Sequence, residues 1–488
     1  MLVDLALYLA LERQFNAKEV WRAIETSALA SLHLMTLKQV CMLEWATTQL
    51  KPKHTAGRFN TMLMQRALAE VDRCSALELS YIMQGFRQKQ NKALTERVRK
   101  NLIERRRQLF PNGAETEDGR EMLVNTFFTF ASCRPKQYGV YRRYASEEIE
   151  ELVANYEHDL CETAEQADAE QLTRLASALY VMGTCEYENV FWRIERRTNQ
   201  LAHEGKLDAY NASTILRAFS RSQKNRMCGQ DHTFTALEQI VLANLQSLSD
   251  RDVTHAAYAF GVRGLGNPEL HKALEKRLEE VADRLDYPSM FNAMYYLLFR
   301  ESKNEAIWRK LVDNTVAKQE VLPLIYYKPF KASKFWLRQH FPAWDLRDYV
   351  DKFFYAEKYF DVTKFDDFYE SDLKYSKFKA FLTAHCHVYP APFCTIENLF
   401  TLHYVFFDHK LAINFHLNKF TKSSDSKPSE MQRLPAKVLK GEGWQVYDLS
   451  EKEFDSWDYA DKVKNIKAWI KAAVEKQIEN GVLPREPP

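Results

Sequence analysis

Glycine is scarce in this chain of 488 residues: 14 in all, about 3%, against a usual ~7%. So little glycine speaks against Gly-rich phosphate loops, dense β-turn networks and doubly wound α/β folds, and favours helices. The motifs G-x-G-x-x-G, G-x-x-x-x-G-K-[ST], H-E-x-x-H and G-x-S-x-G do not occur, which removes the commonest nucleotide-binding, zinc-hydrolase and serine-hydrolase signatures. No run of 18 apolar residues occurs, so no transmembrane helix is expected. Eight cysteines, at 41, 74, 133, 161, 185, 228, 386 and 394, form no C-x-x-C pair and no dense framework, and read as scattered thiols in a reducing compartment. His385-Cys386-His387 with Cys394 offers zinc-ligand residue types at a spacing that matches no common structural site, so neither a metal nor a cofactor is expected. Net charge is nearly absent, 68 Lys and Arg against 66 Asp and Glu. The total therefore calls for neither nucleic acid nor a membrane surface. The first ten residues are apolar but carry Asp4 and run into Glu12 and Arg13, which suits the first turns of a packed helix rather than a signal or transit peptide; a leader already removed stays open.

What the sequence has is repetition. Short helical cores recur at 36–45, 77–86, 122–130, 172–179, 212–219, 253–260 and 290–299. With Trp45, Phe86, Phe130, Leu179, Phe219, Phe260 and Phe299 as equivalent positions, the gaps are 41, 44, 49, 40, 41 and 39 residues. Between cores runs a second amphipathic segment, as at 271–281 with apolar Leu274, Leu278 and Val281. Helix pairs at a period near forty predict an α-solenoid over residues 1–320, in which stacking buries what no repeat can bury alone. An irregular helical domain is the alternative. The longest gap holds a polar stretch, 134–146, with Pro135, read as a surface insertion.

Residues 321–398 form a distinct aromatic-rich helical connector, with 21 Phe, Trp or Tyr in 78 residues. Its aromatics, interleaved with Lys328, Lys331, Lys334 and Arg338, either pack a core or stack on exposed bases. Residues 399–488 switch period. A β-hairpin is predicted from 402–407 and 411–417 around the corner Asp408-His409-Lys410, then a Ser/Lys-rich loop, a helix over 430–440 that Pro435 shortens or kinks, a strand over 444–449 and a helix over 460–477. Together they make a small C-terminal α/β domain.

This last segment resembles the RAP domain of organellar helical-repeat proteins, which include the FAST-kinase-like and octotricopeptide-like families. Its carriers are Leu411-Ala412-Ile413-Asn414-Phe415, the 431–439 helix, Gly443-Trp444-Gln445-Val446-Tyr447-Asp448-Leu449, and Phe454-Asp455-Ser456-Trp457 ahead of Ile466-Lys467-Ala468-Trp469-Ile470. The resemblance implies a restriction-endonuclease-like fold, residence in the mitochondrial matrix with the plastid as alternative, and a role in organellar RNA metabolism or ribosome function. Metal-dependent cleavage on such a fold needs a carboxylate pair and a lysine converging on one edge. Here Asn414 stands where the family often has an acid and His416 follows in place of a second one, with Asp408 and Lys410 as the remaining charged candidates, so no catalytic residue is expected.

Regional charge is uneven. Residues 1–110 carry 18 Lys and Arg against 10 acids, and 111–200 carry 9 against 17. The densest basic cluster, Arg97, Arg99, Lys100, Arg105, Arg106 and Arg107, with Arg87 just before it, is the candidate RNA-binding face, joined by Lys410 of the C-terminal domain. It could equally be a solvated helix face or meet an acidic protein. The expected function is a non-catalytic, RNA-associated helical-repeat protein, either a peripheral mitoribosomal subunit or an RNA-maturation factor, with organellar ribosomal or messenger RNA and other subunits of a large assembly as partners. The alternative is a scaffold subunit of a large mitochondrial complex, respiratory chain or ATP synthase, that keeps a degenerate RAP-like domain.

Overall fold

The computed structural model describes residues 2–12, 18–48, 57–86, 92–111, 113–133, 147–182, 188–220, 229–318, 327–346, 349, 373–396, 399–417 and 429–479. The expected insertion at 134–146 and the Ser/Lys loop at 421–428 lie outside them, as do Phe353, Phe354, Tyr355, Phe365, Phe368 and Tyr369 of the connector. Among the described residues the chain is mainly helical, with 22 α-helices and one small C-terminal mixed sheet, and it divides into two compact units at Leu207/Asp208.

The first unit holds α1 (Leu2–Leu11), α2 (Lys18–Ser31), α3 (Leu37–Thr48), α4 (Gly57–Glu70), α5 (Ala76–Phe86), α6 (Lys92–Glu104), α7 (Arg106–Leu109), α8 (Glu117–Cys133), α9 (Glu147–Gln166), α10 (Ala169–Met182) and α11 (Glu188–His203). Helices α1, α3, α5, α8 and α10 pack side by side in one layer, and in the other α2 meets α4 and α9 meets both α6 and α11. The recurrent sequence cores fall on the first layer. At Gly85 of α5 a Cβ would stand 2.6 Å from the Cys41 carbonyl oxygen of α3, so the absence of a side chain is what lets these two helices approach.

The second unit opens with α12 (Ala209–Ser220), α13 (Asp231–Ala243), α14 (Asp250–Arg263), α15 (Pro268–Val281), α16 (Tyr287–Phe299), α17 (Glu305–Lys318) and α18 (Tyr327–His340). Again α12, α14, α16 and α18 pack in series, with α13, α15 and α17 behind them. The two layers differ as their positions require. Covered on several sides, α14 buries Val253, Ala256, Ala257, Ala259, Phe260 and Gly261, whereas α15 buries a single stripe, Leu270, Leu274, Leu278 and Val281. Local chemistry sets the ends. Ser249 and Asn267 accept from the backbone N–H groups of Asp252 and Leu270 at the starts of α14 and α15, and Gly264 takes a left-handed φ of 61° to close α14.

The C-terminal domain runs α19 (Leu373–Cys386), β1 (Ala391–Ile396), β2 (Phe400–Phe406), β3 (Leu411–His416), α20 (Glu430–Leu439), β4 (Gln445–Ser450), α21 (Glu451–Ser456) and α22 (Tyr459–Glu479). Sheet order is β1-β2-β3-β4, antiparallel except for the parallel pair β3/β4. Both β1 and α19 precede residue 399, so the sheet draws its first strand from the segment read as connector. There Tyr375, Phe378 and Leu382 form core with Tyr404, Ile413, Phe415 and Ile466. Phe330, Phe335 and Trp336 of α18 are likewise buried, so these aromatics pack rather than present open ring faces. On the other side of the sheet, Ala412, Leu402 and Val405 meet Leu439 of α20 and Trp444. Helix α20 runs unbroken through Pro435, held by a capping box between Ser429 and Gln432 and by burial of Leu434, Pro435, Val438 and Leu439. It also packs on α14, α16 and α18. Lys437 anchors that contact, its Nζ donating to the Phe299 carbonyl at 2.6 Å and to Glu430 at 2.8 Å.

Gly85→Ala is expected to force α3 and α5 apart. Overpacking costs about 1–3 kcal/mol, more than the roughly 1 kcal/mol that alanine contributes over glycine in a helix. The thermal midpoint by circular dichroism should fall by several degrees; an unchanged or raised midpoint would contradict the close approach.

Candidate functional site

The basic cluster sits on α6 and α7, and most of its charge is already engaged. Arg97 pairs with Asp72 in the turn after α4, and Asn101 donates to the same carboxylate at 2.8 Å. These two partners hold the Asp72 carboxyl below the usual range, the Asn101 hydrogen bond first and Arg97 next. Arg99 joins Glu96 on its own helix to Glu151 of α9 at 2.7 Å. Arg106 crosses to Asp159 of α9, with Nε 2.9 Å from Oδ2, and its guanidinium lies 5.2 Å from the Tyr156 ring centroid. Burial raises the Tyr156 hydroxyl pKa, so it stays protonated and donates to the Leu102 carbonyl at 2.6 Å.

Arg105 donates to Asn101 at 3.1 Å and Gln108 at 3.2 Å, and Lys100 stands 3.6 Å from Glu104 with 63% of its side chain exposed. Arg107 is exposed, with no carboxylate at ion-pair distance among the described residues. Arg87 lies outside the described residues. The acidic partner left open by the sequence is thus in large part the chain itself: the basic segment before 110 pairs across to the acidic helix α9. Lys100 and Arg107 are the positions whose charge faces solvent most freely.

Lys410 immediately precedes β3, whose other end carries Asn414 and His416. It follows the 3₁₀ turn of Phe407–His409 in a left-handed conformation, φ 44°, and its Nζ donates to the Glu442 carbonyl at 3.0 Å. Asn414 lies four positions along the chain from it, ~13 Å of strand, and Asp408 is in the 3₁₀ turn before it. These four side chains therefore do not converge.

What does converge is a polar cluster on β2, β3, β4 and α20 that includes residues the sequence did not single out: Asp448, His403 and Gln432. The parallel register puts Asn414 beside Asp448 and His416 beside Ser450. Asp448 Oδ1 lies 2.8 Å from His416 Nε2 and 3.3 Å from Asn414 Nδ2. Gln432 accepts from the Ser429 N–H at 2.7 Å through Oε1, so its Nε2 donates to His416 Nδ1 at 3.3 Å. His416 thus turns Nε2 to the Asp448 carboxylate and Nδ1 to the Gln432 amide.

The β2/β3 ladder ends at Tyr404↔Ile413. Beyond it side chains take over: the His403 N–H donates to Asn414 Oδ1 at 3.2 Å, and the Phe415 N–H donates to His403 Nδ1 at 3.0 Å. The His403 ring is surrounded by those of Tyr375, Phe393 and His416, with centroids within 5.8 Å. This burial lowers its pKa to about 3. Two of the missed residues, His403 and Asp448, carried one faint signal, polar side chains on apolar strands. Their convergence depends on the β3/β4 register, which no local pattern encodes.

Chemically the cluster is a hydrogen-bonded set in which one carboxylate orients the His416 imidazole and the Asn414 amide, and the Gln432 amide meets the far side of the same imidazole. Among the described residues no group of three or more His, Cys, Asp and Glu side chains is arranged to hold a metal ion.

Acid should loosen this sheet. His403 is neutral when folded and titrates near 6.5 when unfolded, so its contribution is complete above pH 6.5 and is lost as pH falls toward 3. The slope is about 1.4 kcal/mol per pH unit for one proton. His403→Asn keeps an acceptor for the Phe415 N–H but cannot titrate. The drop in thermal midpoint between pH 7 and pH 5 should be smaller in this variant than in the wild type, and equal drops would place the buried neutral imidazole elsewhere. No protein-family model matches the chain and no curated protein matches it, which leaves its residues and their geometry to carry the functional reading.

Proposed function

We propose that the protein is a non-catalytic, RNA-associated helical-repeat protein of the mitochondrial matrix, acting as a peripheral mitoribosomal subunit or an RNA-maturation factor. The observation that supports this reading is the architecture: within each unit helices pack in two layers with the recurrent cores on one of them, and the C-terminal domain has a hairpin, helix, strand and helix in the order of the RAP-like segment. In that restriction-endonuclease-like reading, Asn414 and His416 stand where the carboxylates would be, and the acid beside them, Asp448 on the neighbouring strand, is bonded to both. A lone carboxylate already engaged by an imidazole and an amide is a poor seat for Mg²⁺. The domain then serves as a binding and docking module.

A specific observation favours the second reading, a scaffold subunit of a large mitochondrial complex. Arg97, Arg99 and Arg106, the middle of the candidate RNA face, are held by carboxylates of the same chain. Paired cations release few counterions on meeting phosphate.

Affinity purification from organelles, with and without RNase, separates the two. Co-purifying ribosomal or messenger RNA, with protein partners lost on RNase treatment, is the expected result. An RNase-insensitive set of membrane-complex subunits would make the chain a scaffold. Incubation of single-stranded RNA with the purified chain and Mg²⁺ should yield no cleavage; cleavage abolished by Asp448→Ala would overturn the non-catalytic assignment.

A further inference from the structure

A groove of about 540 Å³ lies within the first unit, walled by the helices of its continuous layer. Each contributes to the lining: α1 through Leu7, α3 through Lys38, α5 through Tyr81, α8 through Phe128 and α10 through Arg174. Its floor is apolar, formed where Gly85 lets α5 close on Cys41, whose thiol burial keeps protonated. No carboxylate lines it among the described residues.

Three features of the walls are free to act. Phe128 has 38% of its surface exposed, large for a ring on a helix packed between two others. Lys38 is exposed, lies 5.3 Å from the Tyr81 ring centroid, and has no carboxylate at ion-pair distance among the described residues. The Gln84 side chain is exposed and makes no hydrogen bond among the described residues. Arg174 is not free, being held by Glu121 at 3.2 Å, Asn125 at 2.8 Å and Glu170.

From this set we infer that the groove is a nucleotide subsite for single-stranded RNA, with a base stacked on Phe128, its edge read by Gln84 and its phosphate met by Lys38. An open aromatic face, a free amide and one unpaired cation without a competing acid answer the three parts of a nucleotide. An acidic peptide would find, among the described residues lining the groove, one cation without a carboxylate partner and no use for the ring. The inference rests on the RNA reading proposed above and places the strand on the continuous layer rather than on the ion-paired face of α6 and α7.

The test is fluorescence anisotropy of the full chain with a labelled single-stranded oligouridylate. Phe128→Ala should weaken binding about tenfold. Lys38→Glu should weaken it and lower the salt slope by about one, while Lys38→Arg retains both. All three side chains are at the surface, and unchanged melting curves verify that the variants fold. If the wild type binds and Phe128→Ala and Lys38→Glu bind equally well, the groove is overturned while RNA association stands. No binding by the wild type overturns the groove, and with an RNase-insensitive pull-down it removes the RNA reading too. Equal displacement of the oligouridylate by polyglutamate would make the groove a peptide site and overturn the nucleotide assignment.

Discussion

Close approach between neighbouring helices of the continuous layer is the constraint on which both helical units depend. A helix sandwiched between two others and backed by a third has no face left for large side chains everywhere, so small residues must sit where backbones meet. Gly85 against Cys41 is the tightest case. The runs Ala256-Ala257 and Ala259-Phe260-Gly261 of α14 repeat the device, with a Cβ on Gly261 reaching 3.0 Å from the Tyr296 ring. Interiors packed to crystal-like density transmit such constraints. The outer helices, free on one side, need only a stripe, as α15 shows.

The same stacking explains the charge. Neighbouring helices bring a basic stretch of sequence against an acidic one, and Arg99–Glu151 and Arg106–Asp159 are the result. An exposed pair contributes little by itself, ~0–1 kcal/mol, and of these two only Arg106–Asp159 has a buried carboxylate. Their larger consequence is subtraction: they take charge away from a surface that would otherwise read as a phosphate-binding face. Among the described residues of the first unit, Arg107 and Lys38 have no carboxylate at ion-pair distance, and Lys100 keeps only the exposed Glu104.

In the C-terminal domain, polar chemistry is spent on strand geometry. His403 and Asn414 exchange hydrogen bonds with the facing backbone where β2 and β3 part, and Asp448, His416 and Gln432 close the adjoining end of the parallel pair. Leaving any of these partly buried groups unpaired would cost about 1–3 kcal/mol, so the cluster acts as one unit. Helix α20 lies on the face of the sheet that carries the smaller apolar cluster and also rests on α14, α16 and α18, so sheet and helix array share a single support.

Sequence alone determined the elements. The forty-residue spacing of Trp45, Phe86, Phe130, Leu179, Phe219, Phe260 and Phe299 placed seven helices of the continuous layers, and the change of period after 399 placed β2, β3, α20, β4 and α22, because periodicity is local and each position votes for its own face. Strand β1 escaped, since Ala391-Pro392-Phe393-Cys394 has no alternation, and only pairing with β2 makes it a strand. The candidate sites were less legible. Arg97, Arg99 and Arg106 announce a basic face, but their partners Asp72, Glu151 and Asp159 lie 25 to 53 residues away. Asn414 and Asp448, 34 apart, meet only through the register of β3 and β4. Tertiary structure decided which charges are free and which polar groups converge, because both depend on distances between segments that no local pattern specifies.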